Sequence, residues 1–203
     1  RPVSELSGLT FDEVANPNAG PGFALHLGGV ETGQLAVNHN TAGAPSGNSP
    51  FTFEAWVTND MAVTNLLLMG WGDVNAHDDG IGFGRRDNRI GVLYDGVTEY
   101  ISDTPYPEDG LFHHLAASYD GTTLRLFLDG TLIHTVVPDP PLHPLTSVIN
   151  TLIVGLKAGQ SGDEFWRGSV DEVRFSKSAR YASSFTPQAR FLSDADTVAL
   201  YHF

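Results

Sequence analysis

Residues 113–133 read HHLAASYDGTTLRLFLDGTLI, and this stretch decides the fold. Apolar and polar residues alternate on both sides of Asp120-Gly121, and a second pair of the same kind follows at Asp129-Gly130. Asp-Gly is a preferred dipeptide for tight hairpin turns, because both residue types tolerate the positive φ angles that such turns require. The stretch therefore predicts antiparallel strands joined by hairpins, and with them an all-β protein.

The composition agrees with many short strands. Of 203 residues, 22 are Gly, 12 are Pro and 41% are hydrophobic. Gly and Pro disfavour a helix by about 1 and about 3 kcal/mol per residue, so we expect little helix. A chain of this length commonly forms a single all-β domain. We expect an extended lead-in over residues 1–21, with a short contact at residues 9–11, followed by one domain over residues 22–203.

The net charge limits the partners. Eleven basic residues against 24 acidic ones give a formal net charge of −13. This charge repels phosphate backbones and anionic membranes, so we expect no nucleic acid partner, while neutral glycans, cations and basic surfaces remain. The absence of cysteine removes disulfides and thiolate metal sites. No apolar run approaches the roughly 18 residues that span a bilayer, and we expect no membrane insertion.

Strand patterns also occupy the rest of the chain. Residues 51–57 (FTFEAWV) place an apolar side chain at every second position, which is typical of a central sandwich strand. Residues 138–144 contain four prolines, which cannot donate to a ladder, and are predicted to be an irregular crossover. Residues 177–184 are predicted to make one helical turn. Shorter strands are predicted at residues 65–69, 81–86, 90–94, 99–101, 151–155, 168–175 and 197–203.

Four of these stretches, taken in order, resemble the laminin G-like and pentraxin-like branch of the concanavalin A-like jelly rolls. They are residues 51–57, residues 113–133, residues 168–175 (GSVDEVRF), and the SKSAR turn at residues 176–180 with Phe185-Thr186-Pro187. The resemblance implies an antiparallel two-sheet jelly-roll β-sandwich. It also implies loops around one curved sheet that bind carbohydrate or protein, and a frequent Ca²⁺ ion.

The resemblance implies a structural calcium ligand at Asp171. Its acidic position in GSVDEV matches the one that binds Ca²⁺ in many similar domains. Calcium takes six to eight oxygen ligands, and backbone carbonyls near Gly29 and Glu31 would supply others. The alternative is that Asp171 is solvated or paired with an arginine such as Arg174.

A second candidate loop for calcium covers residues 158–167 (AGQSGDEFWR). In pentraxin-like relatives, acidic residues on comparable loops hold calcium that bridges to the ligand. The resemblance therefore implies that Asp163 and Glu164 are metal ligands. Trp166, at the end of this loop, is expected to fill the edge of the sandwich.

Residues 70–80 (GWGDVNAHDDG) form the loop with the richest chemistry. Proteins bind sugars by stacking an aromatic ring on an apolar sugar face while amides and carboxylates hydrogen-bond the hydroxyls. We therefore predict that Trp71 stacks on a glycan. The residues predicted to hydrogen-bond the glycan or to help hold a cation are Asp73, Asn75 and Asp79.

Arg85 and Arg86 follow this loop closely, and one of them is predicted to orient a carboxylated sugar at the rim. The alternative interpretation of the whole region is a polar hairpin tip with Trp71 packed on the core. Both alternatives stay open at the level of sequence.

Catalysis is not expected. Glycoside hydrolases of this fold carry Glu-x-Asp-x-x-Glu on one strand, which sets two carboxylates about 5 Å apart, and the motif is absent from this sequence. Asp171 and Glu172 are adjacent, so we expect them on opposite faces of a strand. The same argument separates His113 from His114, one of which is expected to be buried and hydrogen-bonded.

These observations predict a noncatalytic carbohydrate-binding module of an extracellular or surface-attached multidomain protein, most simply a bacterial one. The chain opens on Arg1-Pro2 without an initiator methionine, which favours a piece of a longer polypeptide. One shallow site binds weakly, so oligomers or tandem domains would supply avidity. The rival prediction is a protein-interaction, adhesion or structural spacer module of the same fold.

Overall fold

The structure is a computed structural model of the chain. It contains β-strands and, within the described residues, no helix. The described part of the chain has no helix that is long and apolar enough to cross a membrane. The described residues are 9–12, 24–28, 35–37, 44–59, 65–71, 80–143, 152–155 and 166–203.

The strands are numbered in chain order. Most are short and are separated by tight turns, as the content of Gly and Pro predicts. They are β1 (Leu9–Asp12), β2 (Ala24–Gly28), β3 (Leu35–Val37), β4 (Phe51–Val57), β5 (Leu66–Trp71), β6 (Ile81–Arg86), β7 (Arg89–Tyr94), β8 (Thr98–Pro105), β9 (His113–Tyr119), β10 (Leu124–Leu128), β11 (Thr131–Val136), β12 (Leu152–Val154), β13 (Arg167–Ser176) and β14 (Thr197–Tyr201).

Two antiparallel sheets form the predicted jelly-roll sandwich. The first sheet has the strand order β1-β2-β13-β4-β9-β10-β11, and β14 also pairs with β13. The second sheet has the order β3-β12-β5-β6-β7-β8. Their facing sides enclose one main hydrophobic core. The all-β, two-sheet prediction is therefore confirmed.

Strand β4 shows how sequence alternation sets the faces of the first sheet. Its odd-numbered apolar residues, from Phe51 to Val57, belong to the core. The side chains between them point to the opposite side, which we call the outer face of the first sheet. These are Thr52, Glu54 and Trp56, and all three are buried although they lie outside the main core.

The Asp-Gly turns differ from one another. Asp129 and Gly130 have φ angles of 49° and 74°, the combination that a two-residue hairpin turn requires. At the first Asp-Gly pair only Gly121 has a positive φ. The connection there runs from Asp120 to Thr123, with Asp120 Oδ1 accepting hydrogen bonds from the backbone N–H groups of Thr122 and Thr123. The predicted hairpin forms, but its turn is longer than two residues.

Two other predictions change in detail. Residues 9–12 of the expected lead-in form β1, which pairs with β2 and so belongs to the first sheet. Residues 177–184 contain no helical turn. The segment is irregular, with bends at residues 177–178 and 182–183. Thr52 Oγ1 donates to Ser178 O and accepts from Arg180 N, which ties the segment to β4.

Candidate functional site

The loop predicted to bind glycan starts and ends at one edge of the second sheet. Trp71 is the last residue of β5 and Ile81 the first of β6, and the two are direct register partners. The connection between them therefore leaves and re-enters the sandwich at the same place. We call this place the Trp71 edge. Asp73, Asn75 and Asp79 belong to this connection and lie outside the described residues.

The neighbouring turn at the Trp71 edge is well defined. Asp95 has a positive φ of 51° and its N–H donates to Gly80 O, at 3.1 Å. Its Oδ1 accepts from the backbone N–H groups of Val97 and Thr98, at 3.3 and 3.0 Å. The β7–β8 turn is thereby fixed beside the point where the 72–79 connection meets β6.

Trp71 has a different role from the predicted one. Its side chain is 1% exposed and belongs to the core, with its ring centroid 5.0 Å from that of Phe175. A sugar would need an open ring face, and this ring offers none to solvent. We therefore correct the stacking assignment and place Trp71 among the residues that hold the sandwich together, as the alternative interpretation of the loop proposed.

Arg85 and Arg86 are also engaged inside the protein. Arg85 is 1% exposed, binds Glu108 Oε1 at 2.5 Å and lies over the ring of Tyr106. Arg86 is 6% exposed, and its Nε donates to Glu99 Oε1 at 2.9 Å. Both guanidinium groups thus neutralise carboxylates of the same chain. The prediction that one of them orients a carboxylated sugar is corrected.

Asp171 and Glu172 lie at a β-bulge. The pairing of β13 with β4 shifts register between Asp171 and Arg174, and Glu172 has a φ of 51°. Val170 and Val173 both belong to the core, so the two carboxylates between them are buried outside it. The expected strict alternation of faces is wrong here, because a bulge inserts an extra residue into one strand.

Backbone groups occupy both of these carboxylates. Asp171 Oδ1 accepts from Glu172 N at 2.8 Å and from Phe203 N at 3.4 Å. Glu172 Oε2 accepts from Phe191 N at 2.6 Å, and its Oε1 contacts His202 Nδ1 at 2.6 Å. Arg174, the alternative partner that the sequence offered for Asp171, forms its ion pair with Glu54 instead.

The described residues supply one part of the predicted calcium site. No group of three or more His, Asp or Glu side chains suited to a metal occurs among them. Gly28, the last described residue before the predicted ligand Gly29, pairs with Arg167. Arg167 lies four residues, or about 13 Å, from Asp171 along β13. Calcium therefore stays a prediction that rests on the resemblance. The other predicted ligands, Gly29, Glu31, Asp163 and Glu164, lie outside the described residues.

A buried charge network on the outer face of the first sheet escaped sequence analysis. Glu54 Oε1 accepts from Arg174 Nε at 2.8 Å. Its Oε2 accepts from Tyr181 OH at 2.8 Å and contacts His114 Nε2 at 3.2 Å. The sequence feature that could have indicated this network is Glu54 itself, a charged residue in the middle of a strand whose same-face neighbours, Thr52 and Trp56, are also buried. His114 is the expected buried histidine.

Electrostatics keep Glu54 ionised. Burial alone raises the pKa of this carboxyl, but the hydrogen bond from His114 and the positive charge of Arg174 outweigh burial and lower the pKa overall. A carboxylate with a lowered pKa and both oxygens engaged is a poor proton donor. Its role is to hold the residues that cover the outer face.

His113, the neighbour of His114, joins two turns. Its Nδ1 lies 2.7 Å from Asp129 Oδ2 and its Nε2 lies 3.0 Å from Asp109 Oδ1. A hydrogen bond with Asp129 raises the pKa of His113, burial lowers it, and Asp109 raises it further, so the net shift is upward. The imidazolium form donates from both nitrogens and matches this geometry.

The family follows from a comparison with known proteins. A family model described as the concanavalin A-like lectin/glucanase superfamily matches residues 27–184. The chain belongs to the concanavalin A-like lectin/glucanase superfamily. This confirms the resemblance drawn from the sequence. No curated protein matches the chain.

Several solved structures share the fold of this superfamily member. A putative carbohydrate-binding protein from Bacteroides ovatus is 16% identical, with a TM-score of 0.64 over 83% of this chain and 50% of that one. Domain 4 of an extracellular arabinanase from Geobacillus stearothermophilus, in complex with arabinotriose, is 17% identical, with a TM-score of 0.62 over 84% and 76%. The chain thus spans about half the length of the first and most of the second.

A third structure of the same fold is a sialidase domain. It is the CBM40 domain of a Ruminococcus gnavus IT-sialidase bound to α2,3-sialyllactose, 17% identical, with a TM-score of 0.51 over 66% of this chain and 78% of that one. At these identities the likeness shows the fold. The carbohydrates are those of the neighbouring proteins.

Proposed function

We propose that this chain is a noncatalytic carbohydrate-binding module. The observation that carries the proposal is the Trp71 edge. A connection with three carboxylates and one amide, residues 72–79, is anchored there between paired strands of a lectin-like sandwich. The neighbouring folds that bind arabinotriose and sialyllactose support this choice of ligand class.

In this proposal the glycan is held by hydrogen bonds at the Trp71 edge. Asp73 and Asp79 accept hydrogen bonds from sugar hydroxyls, Asn75 both accepts and donates, and Trp71 supports the loop from inside the core. Without a stacking ring the site gains little from apolar contact, so one site binds weakly and tandem or oligomeric copies supply avidity. We also propose a secreted or surface location, in a bacterial multidomain protein.

The noncatalytic part of the proposal has its own support. On the outer face of the first sheet, Glu54 is held ionised by Arg174, and Glu172 is engaged by Phe191 N and His202. A retaining or inverting hydrolase needs one carboxyl as acid and another as base or nucleophile across the sugar. These buried groups do not offer that arrangement.

The test is titration with a small glycan panel that includes arabinotriose and α2,3-sialyllactose, followed by calorimetry and by amide chemical shifts. We expect weak saturable binding by at least one glycan. The triple variant Asp73→Ala, Asn75→Ala, Asp79→Ala should lose it. Asp103→Asn, an exposed acidic position on the edge strand β8, is the control that keeps it.

Two results would contradict the proposal. A panel without binding removes the carbohydrate ligand, and then a clean protein partner would favour the adhesion or spacer alternative. Release of reducing sugar from a polysaccharide during long incubation would show turnover and remove the noncatalytic assignment.

A further inference from the structure

A cleft opens on the outer face of the first sheet. It has a volume of about 410 Å³ and lies where β9 begins and where β10 turns into β11. Clefts of about 300 to 1,000 Å³ are the usual size of ligand sites. The cleft is lined by Trp56, Leu111, Phe112, His113, Asp129, Thr186, Pro187 and Ala189.

Backbone contacts fix one wall of this cleft. Phe185 N donates to Gly130 O at 2.9 Å, and Trp56 Nε1 donates to Gln188 O at 2.9 Å. A Cβ atom on Gly130 would lie 2.0 Å from Phe185 O, so the turn and residues 185–189 are in direct contact. The wall is therefore formed before any ligand arrives, which reduces the entropy cost of binding.

The lining combines apolar side chains with a carboxylate. Leu111, which is 61% exposed, lines the cleft together with the apolar residues Phe112 and Pro187. Asp129 also lines it and is 46% exposed, and Asp109, with the same exposure, pairs with the other ring nitrogen of His113. Two carboxylates against one imidazolium leave the surroundings of His113 with a net negative charge.

We propose that this cleft docks a lysine or arginine side chain of a basic polypeptide partner. The aliphatic stem lies against Leu111 and Pro187, and the cationic head reaches Asp129. Long basic side chains bury their methylene groups on apolar surface while keeping their charge at a polar rim. The formal net charge of −13 attracts such a partner at long range. This inference is independent of the glycan proposal, which concerns the Trp71 edge.

His113 makes the docking depend on pH. Its ring faces Asp109 from the preceding loop, Asp129 from the β10–β11 turn and the ring of Tyr106. Residues 185–189, which form the facing wall, contain no ionisable side chain. When His113 is protonated its charge repels the incoming cation, and when it is neutral it no longer offsets the negative charge of Asp129, which then attracts the cation. Binding therefore strengthens as pH rises through the range where His113 titrates.

The probe is a tetralysine peptide, titrated into the intact chain at about pH 6 and at about pH 8.5, on either side of the histidine range. We expect tighter binding at the higher pH. By linkage, saturating peptide must also lower the pKa of His113, which the ring proton resonances report.

Two variants locate the binding, and each has a matched control. Leu111→Ser and Asp129→Asn should each weaken binding about tenfold at the higher pH, which is about 1.4 kcal/mol. Leu192→Ser changes another leucine, 67% exposed, and Asp87→Asn changes another exposed Asp with positive φ. Asparagine tolerates positive φ, so both Asp variants keep their turns, and a melting curve verifies the fold of each.

The outcomes separate clearly. Equal weakening by the controls would show only general attraction to an acidic protein and would overturn the proposal. No binding, or the same affinity at both pH values with an unchanged His113 titration, would overturn it too. The glycan panel tests variants at the Trp71 edge, whereas the peptide titration tests Leu111 and Asp129. The failure of either proposal therefore leaves the other standing.

Discussion

Glu54 shows how much depends on single residues beneath the outer face. Its carboxylate holds Arg174, Tyr181 and His114 together in a place where all but Tyr181 are almost fully buried. Removing one member of a buried ion pair leaves the other charge without compensation, whereas removing a neutral neighbour costs one hydrogen bond. The order of these costs can be tested.

The first prediction concerns Glu54→Gln. We expect the free energy of unfolding to fall by about 3 to 5 kcal/mol, because Arg174 stays buried without its carboxylate. Tyr181→Phe, which removes one hydrogen bond to the same group, should cost less, about 1.5 kcal/mol. Urea denaturation measures both variants. Equal losses would show that the ion pair contributes no more than the phenol.

The second prediction concerns His113 and pH. Because the pKa of His113 is raised in the folded state, its stabilising effect is fully present below the unfolded pKa of about 6.5 and is lost as pH rises through the folded value. The difference in unfolding free energy between the wild type and His113→Gln should therefore shrink on going from about pH 6 to about pH 9. A constant difference over that range would contradict the stabilising role of the ion pairs that His113 forms with Asp109 and Asp129.

The acidic partners of His113, Asp109 and Asp129, determine how far the pH can fall before these ion pairs stop stabilising the fold. A hydrogen bond from Leu111 N and one with His113 lower the pKa of Asp109. Burial raises the pKa of Asp129, but the bond with His113 and the N–H of His114 lower it overall. Their stabilising effect is present above the unfolded aspartate pKa of about 3.9 and is lost as pH falls through the lowered folded values.

At the residue scale the sequence predicted positions better than roles. It placed one histidine of the His113-His114 pair inside, and His114 is fully buried. It assigned ligand contacts to Trp71, Arg85 and Arg86, which instead pack or form ion pairs inside the protein. The reason is that partners such as Glu99 and Glu108 come from β8 and the loop after it, and local spacing carries no information about them.

At the scale of elements, the β10–β11 turn depends on one glycine. Gly130 combines a φ of 74° with a close approach of residues 185–187 to its backbone. The turn thus does two things at once. It reverses the chain, and it contacts the irregular segment, residues 185–187, that packs on the outer face of the first sheet.

The third prediction compares Gly130→Ala with Gly110→Ala. Both glycines have nearly the same φ, 74° and 73°, but a Cβ on Gly110 meets nothing within 4 Å. Gly110→Ala should cost only the backbone term, about 1 to 2 kcal/mol. Gly130→Ala should cost about 1 to 3 kcal/mol more, because the Phe185 carbonyl must move. Thermal and urea unfolding measure both, and equal costs would contradict the close packing.

Strand patterns predicted most elements because each needs only local information. The period of two in β4 and the apolar runs of β6 and β7 gave their positions to within a residue. The bulge in β13 broke this rule, since a register shift is decided by pairing with β4 rather than by the residues of β13 alone. The absent helical turn after residue 176 has the same cause, a contact with Thr52.

At the scale of the whole molecule, the predicted loops leave the sandwich at different places. β12 runs away from the Trp71 edge, since Leu152 pairs with Trp71 and Val154 with Met69. The loop with Asp163 and Glu164 follows β12, and its two bases meet where Trp166 N donates to Gly155 O. The sequence identified both loops as chemically rich. That they leave the sandwich at different places follows only from the pairing of β12 with β5.

The fourth prediction is that Ca²⁺ stabilises the molecule. A ligand of the native state alone raises stability by about 2.7 kcal/mol at a concentration of 100 Kd, which for a chain of this size is a rise in Tm of about 5 to 10 °C. Melting curves with added Ca²⁺ and with EDTA measure the effect, and Asp171→Asn should abolish it. Identical curves in both buffers would remove calcium from the description of this chain.

The central position of β13 has a consequence for biosynthesis. β13 pairs with β2, β4 and β14, yet residues 167–176 are translated long after β4. Until they emerge from the ribosome, one edge of β4 has no partner, and an open edge invites pairing with another nascent chain. Pairing between strands so distant in sequence is also slow. Good yields of soluble product should therefore depend on slow translation or on chaperones that shield this edge until the end of synthesis.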